Sequence, residues 1–343
     1  MRLRLARILA TLLSSAALSL ACSSPAPSDT ASPAGATPAS VPAAAEALPP
    51  ANRPSAEKDA WMKELSNAGR WGLDDERGAL NLITPEKRLA ALMLARTGTV
   101  VSLLRPVTLT PKSAAIAADQ LPDGNPYYEM RLRVFPPESR YTGFSSDIQE
   151  SAVHGALLTH LDALCHDSYD GKLYNGKPMQ GTVDPVTGCA THGVSTLASG
   201  IVTRGILVDF PRLRGRALER GERLKPSDMD AWEKQTGVTV QPGDAVLIYT
   251  GLTGGKPDIG AGYDLSMMPW FKARDVALIG SDGPNADHQL SLAALGVNLL
   301  DNAELGELAA TAARLKRWEF LLMVAPAAPR GATGAVVNPL AVF

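Results

Sequence analysis

The chain has 343 residues, with 33 Lys and Arg against 35 Asp and Glu, for a formal net charge of −2. That near-neutral balance gives no basic footprint for nucleic acid and excludes a protein built around binding it. Behind a low-complexity N-terminal region, roughly 290 residues remain, enough for one large domain or two intimate ones.

Residues 1–21 read as a signal peptide. Arg2, Arg4 and Arg7 form a basic start, and Ile8 to Leu20 form an apolar core too short for a comfortable membrane span. Cys22 follows Leu18-Ser19-Leu20-Ala21, which resembles a bacterial lipobox, although Ser19 stands where an aliphatic residue is preferred. Lipid attachment at Cys22 would anchor an exported protein in the cell envelope, facing the periplasm or the surface. The alternative is a secretory peptide cut near the same place. Residues 22–55 are Ala, Pro, Ser and Thr with almost no large apolar side chains. Such a composition cannot bury enough surface to offset its ordering entropy, so it reads as a disordered tether.

The folded region then spans 56–343. Trp61 to Gly69 reads as a short helix and Arg70 to Gly78 as a polar, glycine-punctuated loop. Thr84-Pro85-Glu86 opens a helix, with a capping Thr and Pro at the first position. Thr99 to Leu104 is a β-branched strand, and Glu129 to Phe135 is the strand of the loop-rich stretch that follows. After a histidine-rich segment and a turn-dense loop over Tyr169 to Gly176 come three buried strands, Ile201–Asp209, Ala245–Tyr249 and Val276–Ile279. A helix from Pro226 to Gln235 separates the first two. Leu290 to Leu295 reads as a helix closing at Gly296, Val297 to Leu300 as a strand running into Asp301-Asn302, and Phe320 to Val324 as a closing strand. Alternating strands and short helices predict an α/β fold, a single large domain with a buried mixed sheet.

The chemistry concentrates between His154 and His166, which holds three of the five histidines. His160 and Asp162 are two apart, so on an extended backbone both side chains leave one face. At about 3.3 Å per residue, one metal ion can bridge them. For His166 to serve the same site, the chain must bend near Leu164-Cys165. Cys165 and Cys189 either form a disulfide, as an exported protein permits, or Cys165 is a small packing residue.

The run Thr159-His160-Leu161-Asp162-Ala163 with His166 resembles the H-x-G-T-H-x-D-x-P-x-H signature of the metal-dependent cyclase family, which includes bacterial kynurenine formamidases and isatin hydrolase. Ala156 stands where the signature's first histidine belongs, Leu158 replaces its glycine and Leu164 its proline. His154 lies two residues too early to be the same ligand unless the loop from Gly155 to Thr159 folds back. The segments Trp71…Asn81-Leu82-Ile83-Thr84-Pro85-Glu86, Asp287-His288-Gln289 and Gly331 to Pro339 are also similar to family elements. The resemblance therefore covers nearly the whole mature chain. It implies the swivelling β/β/α cyclase fold and a homo-oligomer.

Carried over, it implies that His160, Asp162 and Gln289 hold one divalent ion, Mn²⁺ or Zn²⁺, and that His166 is the catalytic proton carrier. His288 is the alternative third ligand by chemical preference. Asp301, His154 and Asp282 are further candidates for metal or substrate, and Tyr169, Tyr174 and Trp270 for an aromatic pocket. The implied activity is hydrolysis of an amide in a small molecule, either an aryl formamide such as N-formylkynurenine or a cyclic amide such as isatin. A lactonase, or a surface-anchored binding protein that has lost turnover, are the alternatives.

Overall fold

A computed structural model of the protein describes residues 56–106, 128–135, 143–155, 157–219, 221–252, 262–283 and 287–343. The signal peptide, the tether, Cys22 and Ala156 lie outside the described residues.

The aliphatic and β-branched runs become strands of one mixed sheet. Its strands are β1 (Val100–Ser102), β2 (His160–Asp162), β3 (Ile201–Asp209), β4 (Ala245–Tyr249), β5 (Leu278–Ser281), β6 (Asn298–Asp301), β7 (Glu319–Val324), β8 (Gly334–Val336) and β9 (Leu340–Val342). Their spatial order is β1-β9-β7-β3-β4-β5-β6-β2-β8. Strands β3 to β6 run parallel to one another, and the remaining pairs are antiparallel. The parallel core explains why β3, β4 and β5 read as continuous hydrophobic runs, because helices and loops cover both faces. Along β3, Leu207 faces one apolar cluster while Ile206 and Val208 face the other. Each fully buried aliphatic side chain of this kind contributes about 1.5–3 kcal/mol.

Several element bounds differ from the sequence reading. The first helix, α1, spans Ala56–Glu64 rather than starting at Trp61. It stops because Asn67 is captured elsewhere: its backbone N–H donates to Ala294 and its side-chain amide to Leu295. The second helix, α2 (Pro85–Leu92), starts as read, with the Thr84 hydroxyl accepting from the Lys87 N–H and Pro85 at the first position. The segment Leu290–Leu295 is a π-helical turn, closed by Gly296 at φ 63°. Strand Tyr128–Phe135 pairs antiparallel with Phe144–Ser151, apart from the main sheet.

Cys165 and Cys189 are joined in a disulfide. It closes a loop over a sequence separation of 24, and loop-closure entropy puts its contribution at about 3 kcal/mol.

Candidate metal centre

Strand β2 sits between β6 and β8, and the register of those pairings builds the site. Asp301 lies opposite His160 across β6, and Gly334 lies opposite Asp162 across β8. Directly opposed residues share a face, so His160, Asp162 and Asp301 project together, while Leu161 points the other way into the core. All three polar side chains are buried.

Each histidine is oriented by a specific partner. His160 Nδ1 donates to the Leu158 carbonyl at 2.8 Å, which leaves the Nε2 lone pair facing Asp162 Oδ1 at 3.4 Å. His154 Nδ1 donates to Asp162 Oδ1 at 2.8 Å, so its Nε2 accepts the Thr333 hydroxyl at 2.8 Å. His288 Nε2 stands 3.3 Å from Asp162 Oδ2 and 3.4 Å from Asp301 Oδ2. His166 stacks on His154, with ring centroids 3.6 Å apart and planes 7° from parallel.

Two overlapping donor sets result, His160–Asp162–Asp301 and His154–Asp162–His166, each with ligand atoms within 4.8 Å of one another. Asp162 is common to both, and its buried Oδ2 accepts no aligned hydrogen bond. His288 Nε2, at 3.3 Å, is the nearest group to that oxygen, and a buried carboxylate so placed is stabilised by a cation, whether imidazolium or metal. Imidazole nitrogens and carboxylate oxygens suit a divalent ion such as Zn²⁺ or Mn²⁺, so the residues present fit one.

The electrostatics are those of a cation site. Burial alone would raise the Asp162 carboxyl, yet the hydrogen bond from His154, the His288 ring 3.3 Å from Oδ2 and the other nearby imidazoles hold it well below the ordinary carboxylate range. Burial alone would lower His288, yet Asp162 and Asp301 hold it well above an ordinary histidine. A proton on His288 thus supplies positive charge between two carboxylates. Burial pushes His166 down to about 4, more than the Asp162 charge restores, so it is neutral at pH 7.

The structure brings together His154, His160, Asp162, His166, His288 and Asp301. His154 stands against Asp162 despite its early position. Of the pair at the downstream element, His288 meets the two carboxylates. The Gln289 amide instead bonds Asp167, and its buried Oε1 has no hydrogen-bond partner. Asp282 is set apart from this cluster by its bonding. Its carboxylate accepts from the Thr250 N–H and hydroxyl at 2.9 and 2.8 Å and from the Gly251 N–H at 2.9 Å. It ties the end of β4 to the end of β5. Tyr174 and Trp270 are core residues, and Trp270 lies beneath the Arg274 guanidinium at 3.8 Å. Tyr169 donates to Asp59 of α1 at 2.7 Å.

Five supporting residues have no role in the sequence reading above. The Asn302 side-chain amide donates to the carbonyls of Gly155 and Leu158, pinning the chain before β2. Asn302 has φ 56°, a left-handed conformation that Asn tolerates better than most residues. Its place just after a strand ending in Asp301 is the one signal the sequence offered. Thr333 seats His154, and Gly334 leaves room for the ring: a Cβ there would lie 2.7 Å from His154 Cε1. Lys58 of α1 pairs with Asp287 at 2.8 Å with both side chains buried, and Asp287 accepts from the Leu290 N–H at 2.7 Å, bracing the turn that carries His288.

Burial pushes the Asp282 carboxyl from 3.8 up to about 6, against its three hydrogen bonds. The folded state therefore binds this proton more tightly than the unfolded chain. The resulting stabilisation is fully present below pH 3.8 and is lost as pH rises through about 6. Relative to Asp282→Asn, wild-type stability should fall by about 2 kcal/mol between pH 4 and pH 7. Urea unfolding of both proteins across that range checks this, and a pH-independent difference would contradict it.

A family model described as "Putative cyclase" matches residues 106–288. Among solved structures, a crystal structure of a novel cyclase is 29% identical, with a TM-score of 0.72 over 82% of this chain and 99% of that one. Isatin hydrolase A from Labrenzia aggregata, bound to benzyl benzoate, is 15% identical, with a TM-score of 0.48 over 71% of this chain and 93% of that one. A potential metal-dependent hydrolase with cyclase activity is 14% identical, with a TM-score of 0.42 over 71% of this chain and 97% of that one. No curated protein matches the chain.

Proposed function

The chain belongs to the cyclase family, and from that premise we propose that it is a metal-dependent hydrolase of an amide, either an aryl formamide such as N-formylkynurenine or a cyclic amide such as isatin. The observation that carries this reading is the shared carboxylate. Asp162 is buried, ionised and ringed by His154, His160, His166 and His288, with one oxygen lacking an aligned donor.

His160, Asp162 and Asp301 would hold one ion, with His288 or Gln289 beside them as a further ligand. A divalent ion there supplies Lewis acidity, which acidifies water and polarises a scissile carbonyl. The Leu158 carbonyl fixes the tautomer that presents His160 Nε2 to the site, the supporting role outer partners usually play. His166 enters neutral and accepts the proton of the attacking water, and the nearby Asp162 charge favours the imidazolium that forms.

The second donor set, His154–Asp162–His166, favours a second reading in which another ion binds there. The one-ion reading follows from the present bonding of His154, whose two nitrogens are already engaged by Asp162 and Thr333.

The test is a panel of formamides, isatin and lactones assayed with added Mn²⁺ or Zn²⁺. Hydrolysis of an amide substrate is expected. Hydrolysis confined to lactones would replace the substrate class. Binding without turnover under either metal would favour a ligand-binding protein instead. Export with a lipid anchor at Cys22 belongs to the same reading, and the Cys165–Cys189 disulfide suits an oxidising compartment.

A further inference from the structure

We propose that the Cys165–Cys189 disulfide is a positioning element of the catalytic centre, holding the stacked His154 and His166 rings in place; this rests on His166 being the proton acceptor. Cys165 immediately precedes His166, at the bend that takes the chain out of β2. In that bend the His166 N–H donates to the Ala163 carbonyl at 2.9 Å, and the Cys165 N–H to the His192 carbonyl at 3.2 Å. Cys165 is fully buried, so its sulfur is a fixed point one residue from the imidazole.

The other sulfur reaches the second ring. Cys189 closes the short hairpin Val183–Asp184/Gly188–Cys189, and its N–H donates to the Gly331 carbonyl at 2.9 Å. The Val194 N–H donates to the Ala332 carbonyl at 2.9 Å, fastening the same segment. Two residues beyond Gly331, the Thr333 hydroxyl bonds His154 Nε2. One covalent bond thus joins the backbone beside His166 to a hairpin end that is bonded to Gly331, two residues before the threonine that seats His154. Strand β2 is tied to the Thr333 segment by the β2–β8 pairing and by the Ala163 N–H to the Thr333 carbonyl at 2.9 Å. Beyond Ala163, the bend at Cys165 and His166 is held by single hydrogen bonds and the disulfide, and the stretch from His166 to Val183 is almost entirely loop. Proton transfer is sensitive to placement, since a displacement of about 1 Å can cost on the order of 100-fold in rate.

A plain staple would give stability without coupling to His166, and a double-mutant cycle separates the two. Free-thiol titration of denatured, unreduced full-length protein should find neither Cys165 nor Cys189 free. Two free thiols there in fully active protein would overturn the proposal. In Cys165→Ala/Cys189→Ala, kcat should fall by about tenfold or more with KM and ion content kept. In the His166→Ala background, the same pair of changes should cost less than about twofold. An equal loss in both backgrounds, or full activity of the cysteine variant, would overturn it. If the cysteine variant does not fold, dithiothreitol supplies the two electrons and two protons that convert the native disulfide to thiols. Activity should then fall and return on reoxidation, and an unchanged rate in fully reduced, folded protein would overturn the proposal. Full activity of His166→Ala alone would instead remove the role assigned to His166, and the proposal with it.

Discussion

His166→Ala should lower turnover by about 10²–10⁴-fold while the protein keeps its ion, because the change removes the proposed proton acceptor and no proposed ligand. The imidazole lies at the centre without belonging to the His160–Asp162–Asp301 set, and burial holds it neutral at pH 7. Its fold contacts are modest. It is half-buried and stacked on His154, so truncation leaves β2 and its pairings intact. Steady-state kinetics with metal analysis of the same sample checks the claim. Full activity would rule out proton transfer by His166, and loss of the ion would make it a ligand.

Asp162→Ala should abolish both ion binding and turnover. Asp162 is the one group common to both donor sets. Losing an outer partner of a metal ligand typically costs 10–100-fold in affinity, and losing this shared ligand should exceed that roughly 100-fold bound. The change also leaves four imidazoles without their carboxylate. His154 Nδ1 loses its 2.8 Å acceptor, and His288 keeps only Asp301. His160→Ala should release the ion as well, whereas His154→Ala should keep it. Retention of a stoichiometric ion by Asp162→Ala would show that the centre lies elsewhere.

The parts of the centre that lie close together in sequence were legible without the fold. His160 and Asp162 share a face because they are two apart on a strand, whereas Asp301, distant in the chain, was a candidate only through the family resemblance. What could not be read is set by contacts over long separations. The placement of His154 depends on Asn302, and the seat of its ring depends on Thr333 and Gly334 across β8. Within the run His154 to Thr159 the one local signal is Gly155, at φ 129°. That His288 rather than Gln289 faces the two carboxylates likewise depends on the turn braced by Asp287 and Lys58, not on residue type. Helix α1 shows the same limit, since its end is dictated by Asn67 bonding to Ala294 and Leu295. The Pro-capped helix and the buried parallel strands were legible because their signals are local: a cap, a fixed φ and unbroken aliphatic runs.

The central claim is that hydrolysis depends on an ion held at Asp162. The most direct measurement is the metal content of purified mature wild-type protein, taken together with turnover before and after chelation. The account predicts one divalent ion per chain, turnover abolished when the ion is removed, and recovery on adding Mn²⁺ or Zn²⁺. Turnover that persists in protein stripped of metal would contradict it.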